Sequence, residues 1–88
     1  MRNPDSTYIN LLDRAEYMIE NQVRVVNGYF HKMQSTTDPD FRTYCMKNFE
    51  RAMQQLSGYL EMFDGVFRDY VCKIEFFNDE YTFCIEGR

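Results

Sequence analysis

Few residues in this sequence could bind a metal or carry out catalysis. It contains one histidine, His31, and three cysteines, Cys45, Cys72 and Cys84, with no Cys-x-x-Cys spacing. A tetrahedral zinc site needs four such ligands to converge. The predicted elements place His31 and Cys45 near one end of a helix pair and the other two cysteines near the opposite end, roughly 45 Å away. We therefore expect no metal, no cofactor and three free thiols in a reducing compartment.

One arginine is placed so that it could act with this histidine. Arg24 precedes His31 by seven positions, on the same outward face of the first predicted helix. An arginine and a histidine at this spacing resemble the motif of the helical HEPN ribonucleases, and that resemblance implies a small helical nuclease. The resemblance covers two residues, and two solvated side chains on a polar helix face explain the same spacing. We expect a protein that is not an enzyme, with the nuclease as an alternative.

Two long helices are predicted for the first 70 residues. Asn-Pro-Asp at residues 3–5 and Asp-Pro-Asp at residues 38–40 each combine a capping side chain, a proline and an acidic residue, which is typical of a helix start. The apolar residues that follow recur every three or four positions, which predicts antiparallel helices over about 4–34 and 39–70.

Two dipeptides within these helices are rival turn signals. Asn27-Gly28 and Asp64-Gly65 are typical of tight hairpin turns. The helical phase of the apolar residues continues through both dipeptides, so we predict helix at each. The alternative at the second dipeptide is a three-stranded meander from Tyr59 to Glu86.

The tail changes to a period of two. Apolar and polar residues alternate on both sides of Asn78-Asp79, which predicts a β-hairpin with strands at about 72–77 and 80–86 and a two-residue turn. In this register Phe76 faces Tyr81, and Cys72 and Cys84 point to opposite faces. The sequence therefore predicts one α+β domain over residues 1–88: two long antiparallel α-helices followed by a C-terminal β-hairpin.

The aromatic and methionine content indicates apolar surface beyond one small core. Eight phenylalanines, seven tyrosines and six methionines occur among 88 residues, and a chain this short buries only about 60–65% of its unfolded surface. The first helix carries an apolar stripe beside its core face (Leu11, Met18, Val25 and Tyr29), and we expect the hairpin to cover that side, where Gly58 and Gly65 lie. A second stripe, on the opposite side of the layer, is then left uncovered as the predicted partner-binding surface: Met46, Phe49, Met53, Leu60 and Phe67.

The net charge of −4 argues against a domain that binds nucleic acid through phosphate contacts. It permits acidic contact with a nucleic-acid groove on a partner protein, for which the candidate residues are Asp64, Asp69, Glu75, Asp79, Glu80 and Glu86. No apolar run reaches the roughly 18 residues of a membrane span, and no charged-then-apolar leader is evident. We expect a cytoplasmic protein without direct contact to membrane or nucleic acid.

These features favour a small non-catalytic protein-binding domain. With its start methionine, acidic charge and lack of an evident catalytic group, the chain is similar in kind to the inhibitors that phages and mobile elements encode against host defence or nucleic-acid-processing enzymes, the anti-CRISPR proteins among them. That similarity rests on no motif. The alternative is a structural homodimer whose helices form a four-helix bundle.

Overall fold

The computed structural model describes the backbone of residues 4–87 and the side chains of residues 8–87. The elements follow in the order α1 (Pro4–Ser35), α2 (Pro39–Met62), β1 (Tyr70–Phe77) and β2 (Glu80–Gly87). This order confirms the predicted α+β fold, an antiparallel helix pair followed by a hairpin, with 65% of the chain helical. The described chain is elongated, with extents of 58 × 23 × 16 Å, because one helix of more than 30 residues sets its length.

The first helix passes through Asn27-Gly28 without a break, as predicted. One face of α1 is buried from Leu12 to Asn27, and Ala15, Ile19 and Val26 are each fully buried. These residues pack with Ala52 and Leu56 of α2 in one apolar core. Burial of this continuous face holds the Asn-Gly pair in the helix, because a turn there would take the residues beyond it out of the core. The predicted cap at Asn3 lies outside the described residues.

The second helix begins with the predicted cap. Asp38 has an extended backbone, at φ −80° and ψ 116°. Its Oδ1 accepts hydrogen bonds from the backbone N–H groups of Asp40, at 3.0 Å, and Phe41, at 3.4 Å. These bonds pair two amides that have no partner within the first turn, and Pro39 supplies a backbone already suited to a first helical position.

The predicted end of α2 near residue 70 is wrong, and so is the predicted helix at Asp64-Gly65, because the helix ends at Met62 and turns follow it. From Phe63 the backbone makes a series of turns, including Val66 N–H to Phe63 O at 2.9 Å and Tyr70 N–H to Phe67 O at 2.9 Å. These turns keep spacings of three and four residues, so the apolar pattern looks helical although the axis bends. The Tyr8 hydroxyl donates to Val66 O at 2.8 Å and ties this turn segment to α1.

The hairpin has the predicted register. β1 and β2 pair antiparallel, with Phe76 opposite Tyr81 and Cys72 opposite Ile85. Asn78 and Asp79 form the turn with φ of 54° and 59°, the left-handed conformation that both central residues of a type I′ turn require. Because Cys84 lies opposite Lys73, one position along from Cys72, the two cysteines point to opposite faces as predicted.

The predicted docking side of the hairpin is wrong. The hairpin lies on the side of the second predicted stripe, not on the side of the α1 stripe. The ring of Phe49 on α2 lies 5.8 Å from the Tyr81 ring, and the ring of Phe67 in the turn segment lies 5.9 Å from the Phe83 ring. Two hydrogen bonds from α1 fix this arrangement. The Asn27 side chain accepts from Tyr81 N–H at 2.7 Å and donates to Tyr81 O at 2.9 Å, so a polar group on the flank of α1 finds its partners only on this side.

Candidate protein-binding surface

The residues predicted to bind a partner have unequal exposure. Met46 is exposed, Phe49, Met53 and Leu60 are half-buried, and Phe67 is 5% exposed. Phe67 belongs to the buried core, and the three half-buried residues pack against that core. A role in partner binding stays a prediction for this set, and Met46 is the member with surface available for it.

A line of exposed apolar side chains lies on the side of the helix pair away from the hairpin. Leu11, Met18 and Val25 repeat every seven residues on α1 and are 49%, 39% and 44% exposed. A spacing of seven keeps residues on one helix face, and that face points away from the flank that carries Asn27. On α2, Tyr44 and Met62 lie on the flank that carries Gln55, whose side chain accepts a hydrogen bond from α1 on this side. They are 57% and 60% exposed. We call these five residues the open helix face.

A polar bridge joins the helices at the middle of this side. Gln22 is buried, and its Nε2 donates to Ala52 O at 2.9 Å and to Gln55 Oε1 at 3.1 Å. Its hydrogen bonds are made within the chain, so it fixes the helix pair without needing a partner. A Cβ added at Gly58 of α2 would meet no atom within 4 Å. Gly58 was predicted to lie under the hairpin; it lies instead on open surface.

The predicted acidic residues are all exposed, but they form no single patch. Asp64 and Asp69 lie in the turn segment, whereas Asp79 and Glu80 lie at the hairpin tip. Strands of eight residues extend about 26 Å, which separates these two pairs. The six candidates therefore offer scattered negative charge, not one site: Asp64, Asp69, Glu75, Asp79, Glu80 and Glu86.

Two of these carboxylates already have cationic partners. Arg68 Nε lies 3.8 Å from Asp69 Oδ2, and Lys73 Nζ lies 2.9 Å from Glu75 Oε1. The hydrogen bond from Lys73 lowers the pKa of Glu75, and the same bond raises the pKa of Lys73. Both side chains of the second pair are exposed, so the pair contributes little to the free energy of unfolding.

The residues considered for catalysis make structural contacts. His31 Nε2 donates to Asp79 O at 2.9 Å, which holds the hairpin turn against α1. Arg24 Nη1 donates to Asn21 Oδ1 at 3.0 Å. Cys45 is buried, and no disulfide joins Cys45, Cys72 and Cys84 to one another. Among the described side chains of residues 8–87, no group of three or more histidine, cysteine or acidic residues could hold a metal ion. No helix in the described part of the chain is long and apolar enough to cross a membrane.

Asn27 is a docking residue that was not predicted from the sequence. In the sequence the Asn-Gly pair is only a rival turn signal, whereas in the structure Asn27 is 9% exposed and its amide joins α1 to β2. The available signal was its position: an amide beside the core face of a long helix needs a partner outside that helix.

Comparisons with known proteins add no family to these observations. No protein-family model matches the chain, and no curated protein or solved structure matches it.

Proposed function

We propose that this chain is a non-catalytic protein-binding domain that contacts its partner through the open helix face. The observation that carries the proposal is the line of exposed apolar side chains Leu11, Met18 and Val25 on α1. Single exposed apolar residues are common on protein surfaces. Three at one repeat, beside Tyr44 and Met62 of the neighbouring helix, are typical of a surface that another protein covers.

The chemistry of the open helix face suits a protein partner. Methionine side chains are flexible and polarizable, so they adapt to the shape of a partner, and tyrosine supplies a large ring with a polar tip. Both residue types are enriched where proteins meet. Inhibition of a host enzyme by a phage or mobile-element protein is the specific form that we propose, supported by the small size and the net charge of −4.

The test uses two matched substitutions on α1. Met18→Glu places a charge on the open helix face. Ile9→Glu places the same charge at an exposed aliphatic residue, 52% exposed, on the flank in line with Glu16 and Asn27. Both changes place glutamate, a good helix former, at an exposed position. The free energy of unfolding of each variant should therefore be within about 0.5 kcal/mol of the wild-type value.

The two variants should differ in binding. In capture from cells of the source organism, Met18→Glu should weaken recovery of any specific partner by about thirtyfold in affinity, the equivalent of about 2 kcal/mol at a binding hot spot. Ile9→Glu should recover that partner as the wild type does. Equal recovery by all three proteins would place the binding surface elsewhere. A self-association that Met18→Glu abolishes would favour the four-helix-bundle homodimer.

A further inference from the structure

The two edges of the hairpin differ in how they are covered. Phe77 and Glu80 flank a two-residue turn, so they exchange backbone hydrogen bonds, and every second pair along the ladder does the same. In the alternate pairs, the backbone N–H and C=O groups point away from the other strand of the hairpin. These residues include Tyr81 on β2 and Ile74 and Phe76 on β1. Asn27 bonds to both the N–H and the C=O of Tyr81. This agrees with the assignment, because it shows that both backbone groups of Tyr81 point away from β1.

Within the described residues, α1 covers the backbone edge of β2. Asn27 occupies the outward backbone groups of Tyr81 and acts there as a further strand would. β1 has β2 as its one strand neighbour in the described chain. An uncovered strand edge is a template for pairing with another strand, so the outward groups of Ile74 and Phe76 make β1 the edge that can be extended.

The outer face of β1 is complementary to itself. If Ile74 lies opposite Ile74 of a second copy, antiparallel pairing puts Lys73 opposite Glu75 of that copy, and Glu75 opposite its Lys73. The same register puts Val71 opposite Phe77, which are 51% and 76% exposed in the single chain. Residues opposite each other in the non-hydrogen-bonded pairs of a sheet have their side chains closest together. This register therefore pairs charges of opposite sign and covers both apolar residues.

Neighbouring registers lose this complementarity. The backbone groups of a strand point outward at every second residue. One β1 strand can therefore shift along the other only in steps of two residues if the outward groups of the two copies are still to meet. A shift in one direction puts Lys73 opposite Lys73, and a shift in the other puts Glu75 opposite Glu75. Like charges directly opposite each other oppose pairing, so the sequence of β1 selects the register centred on Ile74.

We propose that two copies of this chain associate through β1 about a twofold axis at Ile74, forming a continuous four-stranded antiparallel sheet. The interface is isologous, as the contact in a twofold dimer must be. Backbone hydrogen bonds supply the attraction and the Lys73–Glu75 pairs set the register. The open helix face takes no part in this contact, so the dimer is independent of the proposed binding function.

Charge reversal tests the interface and its register together. Lys73→Glu makes all four charges at the axis negative, and Glu75→Lys makes them all positive. Each should raise the dimer dissociation constant, measured by sedimentation equilibrium, by about tenfold or more. The double variant Lys73→Glu/Glu75→Lys restores opposite signs and should dimerise within about threefold of the wild type. An equimolar mixture of the single variants should form a mixed dimer.

Matched controls carry the same charge changes elsewhere. Lys47→Glu on α2 and Glu80→Lys on β2 are exposed positions away from the β1 edge, and both should dimerise as the wild type does. Circular dichroism checks that every variant is folded. Exchange of the Ile74 amide hydrogen should slow as wild-type concentration rises and should not slow in Lys73→Glu, because that amide forms a bond across the axis.

Any of three results would overturn the proposal. One is a wild-type chain that remains monomeric at millimolar concentration. Another is a dimer that both single variants form as tightly as the wild type. The third is a double variant that remains monomeric while folded. The Met18→Glu variant separates this proposal from the binding function, since it should leave the β1 dimer intact while it weakens capture of the partner.

Discussion

Asn27→Ala should weaken the docking of the hairpin on α1. The Asn27 amide accepts from Tyr81 N–H at 2.7 Å and donates to Tyr81 O at 2.9 Å, in a position only 9% exposed. Alanine removes both bonds. Each is worth about 1 kcal/mol net, and the partly buried backbone groups of Tyr81 lose further free energy if they stay unpaired. Alanine returns roughly 0.6 kcal/mol through its better helix propensity. The free energy of unfolding should therefore fall by about 2 kcal/mol.

The aspartate variant adds a pH dependence to the same prediction. In Asn27→Asp one carboxylate oxygen still accepts from Tyr81 N–H, but the other faces the Tyr81 carbonyl oxygen and repels it. Protonation restores a donor, so the folded state raises the pKa of this carboxyl group above its unfolded value. The destabilisation is therefore present at neutral pH and is relieved as pH falls through the folded-state pKa. The wild type and Asn27→Ala serve as references at each pH.

Thermal and urea unfolding measure both effects. For a domain of this size, about 2 kcal/mol corresponds to a decrease of about 8–16 °C in Tm. Exchange of the Tyr81 amide hydrogen should also become faster in Asn27→Ala, since that group would point to an uncovered strand edge. A loss below about 0.5 kcal/mol, with Tyr81 exchange unchanged, would refute the docking of β2 on Asn27.

Three further predictions follow from named contacts. Phe67→Ala should lower the free energy of unfolding by about 3–5 kcal/mol, because Phe67 is 5% exposed. Phe77 is 76% exposed in the single chain, so Phe77→Ala should change the free energy of unfolding of the monomer by less than about 0.5 kcal/mol, measured by urea unfolding at a concentration below the dimer dissociation constant. Asp38→Ala should cost about 1 kcal/mol by removing the α2 cap; an unchanged melting curve would contradict that assignment. In Lys73→Gln the pKa of Glu75 should rise toward its ordinary value in an NMR titration, because the bond that lowers it is lost. That bond stabilises the folded chain at neutral pH, and the stabilisation disappears as pH falls through the folded-state pKa of Glu75.

The elements with one dominant local signal were predictable from the sequence. The α2 cap follows from Asp38 and Pro39 together, and the hairpin register follows from strict alternation around Asn78-Asp79. Helix through Asn27-Gly28 was predictable because the apolar face of α1 continues on both sides of it, with Val26 buried before it and Tyr29 half-buried after it. In each case the local chemistry and the burial pattern favour the same structure.

The end of α2 and the docking side of the hairpin were not predictable from periodicity. Consecutive turns after Phe63 preserve three- and four-residue spacing, so a bent chain and a straight helix give the same apolar pattern. Apolar stripes flank the core on both sides of the helix pair, and periodicity alone does not decide which stripe the hairpin covers. The hydrogen bonds of Asn27 and the ring contacts of Phe49 decide it, and both depend on the path of the turn segment.

The open helix face can be tested most directly through the methionine methyl groups, which report on both sides of the helix pair. Met18 and Met62 lie on the open helix face, whereas Met53 is half-buried on the hairpin side and Met46 is exposed there. Methyl NMR spectra should be recorded while the protein recovered with the wild-type chain is added. We expect the Met18 and Met62 signals to shift or broaden as the complex forms, with those of Met46 and Met53 unchanged. Shifts at Met46 and Met53 with Met18 and Met62 unaffected would contradict binding through the open helix face.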